Sequence, residues 1–79
     1  MSESYISAIL KALPDAQVDA RLEGNHLHVT VVSTAFEGLS PVKKQQTVYS
    51  ALNDYIASGE IHAVHMTTLT PSEHARAAQ

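Results

Sequence analysis

The chain contains no cysteine and no tryptophan, and it has only three glycines among its 79 residues. Without cysteine it can form no disulfide, and a transition metal would have to be bound by nitrogen or oxygen ligands or by a partner's thiolates. The glycines Gly24, Gly38 and Gly59 are isolated from one another. Their spacing excludes both the dinucleotide-binding Gly-x-Gly-x-x-Gly motif and a phosphate-binding Walker loop.

Basic residues are also scarce, since five Lys or Arg stand against eight Asp or Glu and the net charge is −3. This balance argues against a general nucleic-acid binder, which needs a basic face to neutralise phosphates. Only Lys43 and Lys44 are adjacent, and they are the candidates for contact with a partner or with nucleic acid. The first residues include acid and no long apolar run, so we expect neither a signal peptide nor a membrane anchor, and a cytoplasmic location.

The length predicts one domain over residues 1–79. Apolar residues three and four apart predict a first helix, ended by Pro14, whose inward face carries Ile6, Ile9, Leu10 and Leu13. Two alternating segments, 18–22 and 26–32, then predict strands that form a hairpin around Gly24-Asn25. In the second strand the core side is expected to carry Leu27, Val29 and Val31.

A second helix is predicted from Val42 to Ile56, with Ser40 as its cap and Pro41 as its first residue. Its apolar stripe is expected to comprise Val42, Val48, Tyr49, Leu52, Tyr55 and Ile56. A third strand follows over 60–69, and a last helix begins at Pro71 with a capping box formed by Thr70 and Glu73. The order is α-β-β-α-β-α, an α+β domain with one small sheet whose second and third strands are expected to run parallel.

The five histidines are the most reactive side chains, since no activated nucleophile or paired-carboxylate site is recognisable and an enzyme is therefore not expected. His26 and His28 share one face of the second strand, roughly 6–7 Å apart at the backbone. His62 and His65 are three residues apart, so strand alternation should place them on opposite faces. Spacing alone predicts no complete metal site, because structural zinc needs four ligands.

Several short motifs in order resemble the BolA family, and in particular its IbaG-like branch. They lie in "HLHVTVVSTAFEGLSPVKKQQTVYSAL", residues 26–52, and "IHAVHMTTLTPSEHA", residues 61–75. The family pattern of an apolar strand ending in Val-Ser is met by Val32-Ser33, and its Phe-x-Gly by residues 36–38. The motifs Ile-His-Ala and Thr-Pro-x-Glu occur at residues 61–63 and 70–73.

The resemblance implies a fold similar to a class II KH domain, with a three-stranded sheet. It also implies a monothiol glutaredoxin with a Cys-Gly-Phe-Ser motif as partner, and a 2Fe–2S cluster shared with it in iron–sulfur trafficking or iron regulation. His62, in the Ile-His-Ala motif, is the ligand it assigns to this chain. His26 is expected as the second ligand, with His28 in reserve, whereas His65 is not expected to be one.

Two alternatives stay open from the sequence. A KH-like fold also suits a transcriptional regulator that binds nucleic acid, with Lys43 and Lys44 near phosphate, although the Gly-x-x-Gly loop of KH domains is missing. An exposed edge of the sheet could instead support a homodimer.

Overall fold

A computed structural model describes residues 2–77 of the chain. Along the sequence the elements are α1 (Ser2–Ala12), β1 (Gln17–Glu23), β2 (His26–Val32), a short 3₁₀ turn (Thr34–Phe36), α2 (Pro41–Ala57), β3 (Ala63–Leu69) and α3 (Pro71–Ala77). This order confirms the predicted α-β-β-α-β-α arrangement and the α+β fold class.

The three strands form one sheet in the order β1-β2-β3. β1 and β2 are antiparallel, with Glu23 opposite His26, so that Gly24 and Asn25 form a two-residue turn. Gly24 has a φ of +62°, whereas Asn25 keeps a negative φ, which matches the type II′ turn that favours Gly at its first central position. β2 and β3 are parallel, as predicted, because α2 carries the chain back to the end at which β2 begins.

One face of the sheet, the covered face, packs against α1 and α2. On β2 it carries Leu27, Val29 and Val31, which are at most 3 % exposed. Half-buried residues of the neighbouring strands extend it: Val18, Ala20 and Leu22 on β1, and Val64 and Met66 on β3. The alternation along β2 therefore sends every apolar residue between His26 and Val31 to the core, as the sequence predicted.

The inward face of α1 differs from the prediction in one position. Tyr5, Ile9 and Leu13 are the buried residues, while Ile6 and Leu10 lie half-buried beside them. Tyr5 was missed because a tyrosine next to a helix start suits water equally well. Its ring packs edge-on against Tyr55 of α2, with the ring centroids 4.8 Å apart.

The apolar stripe of α2 is narrower than predicted. Val48 and Leu52 are fully buried, whereas Val42 and Tyr49 are 62 % and 42 % exposed. Consecutive helical residues differ by about 100° around the axis, so Val48 and Tyr49 cannot both face the sheet. Lys44 lies closer to the interior than expected, since its side chain is only 13 % exposed.

The last helix begins with the predicted capping box. The Thr70 N–H donates to Glu73 Oε1 over 2.9 Å, and the Glu73 N–H donates to Thr70 Oγ1 over 3.2 Å. Glu73 also accepts a contact of 3.5 Å from Lys44 Nζ, which connects α3 to the first turn of α2. The backbone hydrogen bond from Thr70 is the main reason why the pKa of Glu73 lies below its usual range, and Lys44 adds to it.

Asp15 fixes the connector after β2. Its carboxylate accepts hydrogen bonds from Ser33 Oγ at 2.9 Å, from the Thr34 N–H at 2.9 Å and from Thr34 Oγ1 at 2.6 Å. These bonds hold the 3₁₀ turn that places the fully buried Phe36 in the core.

Within residues 2–77, none of the helices has both the length and the apolar character needed to cross a membrane.

Candidate functional site: the histidine end of the sheet

His62 lies immediately before β3, which begins at Ala63, so the predicted start of the third strand at Glu60 is wrong. The His62 N–H donates to the carbonyl oxygen of Asn25 over 2.8 Å. Asn25 belongs to the β1–β2 turn. The hydrogen bond therefore places the backbone of His62 directly beside the start of β2, where His26 stands opposite Ala63.

The loop that carries His62 is held from the side of the helices. Gly59, with a φ of +84°, ends α2 in the left-handed conformation that favours glycine. The Ile61 N–H then donates to Tyr55 O over 3.2 Å, and the Ile61 side chain is buried. The imidazole of His62 is exposed. Its Nε2 lies beside Gly59, 4.0 Å from the position that a Cβ would occupy there.

Tyr5 attaches this same loop to α1. Its hydroxyl donates a hydrogen bond to the carboxylate of Glu60. That bond, assisted by burial of the phenol and by the negative charge of Glu60, raises the pKa of Tyr5 to about 12. No sequence motif pointed to Glu60, whose hydrogen bond fixes the segment two residues before His62.

The second face of the sheet, the open face, carries His26 and His28 of β2, as predicted, and on β3 it carries His65. In the parallel register His28 stands opposite His65. Residues paired across neighbouring strands project to the same face, which brings the three imidazoles together. We call His26, His28 and His65 the histidine group.

Within the histidine group the rings are nearly parallel. The ring of His65 lies 4.7 Å from that of His28 and 5.4 Å from that of His26, centroid to centroid, with an interplanar angle of 13° in both cases. His26 Nδ1 is 3.2 Å from His65 Nε2. This contact was not predicted from the sequence, because it depends on the parallel register of β2 and β3.

The two candidates for the second ligand differ in their surroundings. His28 Nε2 lies 3.3 Å from Glu23 Oε1, on the neighbouring strand. For His26, by contrast, no residue in the described range 2–77 hydrogen-bonds to Nε2. His26 is the residue whose outer ring nitrogen is free for a ligand, and it also lies nearer to Asn25 and His62.

No group of three or more histidine, aspartate or glutamate side chains within residues 2–77 is arranged to hold a metal ion by itself. In the histidine group, His26 Nδ1 and His65 Nε2 form a hydrogen bond with each other, so these two nitrogens are not presented to a common ion. A shallow groove of about 570 Å³ runs beside His28 and His65 on the open face, lined also by Arg21, Thr30 and Thr67. At this end of the sheet the imidazoles of His26 and His62 are exposed.

Lys43 and Lys44, the other predicted contact residues, differ in exposure and in the contacts of their side chains. Lys43 is exposed in the first turn of α2, whereas the ammonium group of Lys44 is engaged by Glu73 of α3. Of the two, Lys43 is the one available to an incoming partner without loss of an existing ion pair.

Comparison with known proteins places this arrangement in a family. The model of the BolA family, described as BolA-like protein, matches residues 7–73. The acid stress protein IbaG of Escherichia coli is 46 % identical over 70 residues, which cover 89 % of this chain and 83 % of that protein.

Solved structures agree with the sequence comparison. A BolA protein homologue from Coxiella burnetii superposes with a TM-score of 0.82 at 30 % identity, covering 96 % of this chain and 97 % of that one. BolA1 from Mus musculus superposes with a TM-score of 0.84 at 28 % identity, covering 98 % of this chain and 70 % of that one. The chain is a member of the BolA family, in its IbaG-like branch.

Proposed function

We propose that this chain is a binding partner of a monothiol glutaredoxin and shares a 2Fe–2S cluster with it, with His62 and His26 as the ligands from this side. The observation that carries the proposal is the hydrogen bond from the His62 N–H to Asn25 O. It brings two exposed histidines from distant parts of the sequence to one end of the sheet. The resemblance to the BolA family supplies the identity of the partner and of the cluster.

The donor set fits a shared site. This chain offers imidazole nitrogens and no thiolate, and imidazole can replace thiolate as an iron ligand in 2Fe–2S centres, where it raises the reduction potential. A cluster held this way supplies one-electron chemistry. Within residues 2–77, no set of three or more potential ligands converges, which suits a protein that completes a partner's coordination sphere.

The proposed role is iron–sulfur trafficking or iron regulation in the cytoplasm, by a partner protein without an enzymatic activity of its own. In this proposal the glutaredoxin has access to the open face of the sheet and to the exposed side chain of Lys43. Lys44 has a structural role in this proposal, because its ammonium group contacts Glu73.

Co-expression with a Cys-Gly-Phe-Ser glutaredoxin tests the proposal. We expect the purified complex to show the visible absorption and circular dichroism of a 2Fe–2S cluster, and His62→Ala to abolish or alter that spectrum. His74→Ala is the matched control, because His74 is also an exposed histidine but lies on α3. An unchanged spectrum in His62→Ala would exclude His62 as a ligand.

A second pair of variants decides the other ligand. His26→Ala should change the cluster spectrum, whereas His28→Phe, which keeps a ring beside His65, should leave it close to that of the unmodified complex, because His28 Nε2 already faces Glu23. The opposite result would assign the ligand to His28. Far-ultraviolet circular dichroism of each variant verifies that the sheet and helices are retained.

A further inference from the structure

His26 has one ring nitrogen facing a neighbour and one facing outward. Its Nδ1 is 3.2 Å from His65 Nε2, and no described residue between 2 and 77 hydrogen-bonds to its Nε2. A metal-binding histidine commonly has this arrangement, in which the second nitrogen is held by a hydrogen bond that sets the ring orientation and the tautomer. The neighbour in this case is another histidine.

Two tautomer pairs satisfy the contact. In the first, His26 carries its proton on Nδ1 and donates it to an unprotonated His65 Nε2. In the second, His65 Nε2 carries the proton and His26 Nδ1 accepts it, which leaves the His26 proton on Nε2. Only the first pair presents an unprotonated Nε2 on His26, the form that binds a metal.

We propose that His65 is the positioning residue of His26: its Nε2 accepts the Nδ1 proton of His26, fixes the plane of that ring and holds its Nε2 free and directed outward. This inference rests on the proposed function, in which His26 is an iron ligand. His65 itself does not touch the iron. It acts through its hydrogen bond to His26 across the β2–β3 pair.

The rest of the histidine group holds His65 in place. The His28 ring stacks on that of His65, with the centroids 4.7 Å apart, and Glu23 Oε1 lies 3.3 Å from His28 Nε2. The three histidines sit on strands and not on a loop. Side chains on such regular elements are positioned more accurately than those on loops, which is what a ligand awaiting a partner's cluster requires.

Nitrogen-15 NMR of the isolated chain tests the hydrogen bond without any glutaredoxin. Long-range ¹H–¹⁵N spectra at about pH 8, where model imidazoles are neutral, distinguish the two tautomers of each histidine. We expect His26 as the Nδ1–H tautomer and His65 with an unprotonated Nε2. Finding His26 mainly as the Nε2–H tautomer overturns the proposal.

Two substitutions separate hydrogen bonding from ring stacking. His65→Phe keeps a flat ring beside His28 but removes the acceptor, and it should abolish the Nδ1–H signature of His26. His65→Gln removes the ring but places an amide oxygen near the position of Nε2, and it should restore that signature. If His26 keeps its tautomer in His65→Phe, His65 does not position it.

The complex with glutaredoxin provides the second readout. His65→Phe should shift the reduction potential and the ¹⁵N hyperfine coupling of the cluster, His65→Gln should largely restore both, and His28→Phe is the control that keeps the stack. If these signals do not move although the tautomer does, His65 positions His26 but His26 is not the ligand. That outcome overturns the His26 assignment in the proposed function and the link from His65 to the iron.

Discussion

The two faces of the sheet are built from the same strands, but different interactions order their side chains. Along β2, Leu27 points into the core and is fully buried, while its neighbour His28 lies half-buried beside Glu23 on the open face. The covered face owes its order to exclusion of water by α1 and α2. The open face is ordered by strand register and by contacts among side chains that remain in water. Stability and binding are thus assigned to alternate residues of one strand.

The largest expected effect comes from a pair of adjacent substitutions that test this division. Leu27→Ala should lower the free energy of unfolding by about 2–5 kcal/mol, because it leaves a cavity in the core. His28→Ala should change it by about 1 kcal/mol or less, because it removes a ring stacked on His65 and a solvent-accessible contact with Glu23 but leaves no cavity in the core. Urea unfolding followed by circular dichroism measures both. Equal losses would contradict the separation of the two faces.

An intermediate loss of stability is expected from breaking the hydrogen bond by which Tyr5 of α1 attaches to the loop before β3. Tyr5→Phe removes the hydrogen bond to Glu60 and should cost about 1 kcal/mol at neutral pH. The pKa of Tyr5 is raised from 10.0 to about 12 in the folded chain, so the unfolded chain loses this proton first. The stability from this group is therefore complete below pH 10 and lost between about pH 10 and 12.

The free energy of unfolding, measured across the alkaline pH range, checks the direction of this pH dependence. We expect the steep decline of the unmodified chain to be shallower in Tyr5→Phe. Tyr49→Phe is the matched control, because Tyr49 is exposed on α2. A decline of the same steepness in Tyr5→Phe would show that Tyr5 is not its origin.

The smallest effect is expected at the connector that delivers Phe36 to the core. Hydrogen bonds from Thr34 and Ser33 hold the pKa of Asp15 below its ordinary value of 3.8. A depressed carboxyl pKa gives stability that is present above the unfolded pKa and lost as pH falls through the folded one. Asp15→Asn should therefore lower the melting temperature near neutral pH and flatten its decline below about pH 4.

Thermal unfolding between neutral and acidic pH measures the difference, with Asp19→Asn as the control. Asp19 is exposed on β1, and its carboxylate makes no hydrogen bond to the residues described, 2–77. If both variants showed the same acid dependence as the unmodified chain, the bonds from Thr34 and Ser33 would contribute nothing measurable to folding.

Local patterns were sufficient to predict much of the fold. Alternation in β2, the glycine turn at Gly24, and the capping box at Thr70 and Glu73 each depend on residues a few positions apart, and all three were found. Val42 and Tyr49 were assigned to the core wrongly, because an apolar residue near the edge of a helical stripe can face either way. Only the packing of α2 against the sheet decides between these orientations.

The site was less predictable than the fold, because it depends on the alignment of distant strands. The resemblance to the BolA family selected His62 and His26, and both remain predictions as ligands. The contact between His26 and His65 required the register of β2 against β3, which a shift of one residue would have destroyed. Alternation within each strand excludes a shift of one residue, but it does not distinguish registers two residues apart.

The parallel pairing of β2 with β3 also has a consequence for the order in which the chain folds. The hairpin of β1 and β2 closes over a two-residue turn, whereas the contact between His26 and His65 spans 39 positions of the sequence. Closing the longer loop costs more entropy, and such non-local pairs form late. Within residues 2–77, β3 pairs only with β2 and is therefore an edge strand. A partner that contacts the histidine group therefore selects chains whose folding is complete.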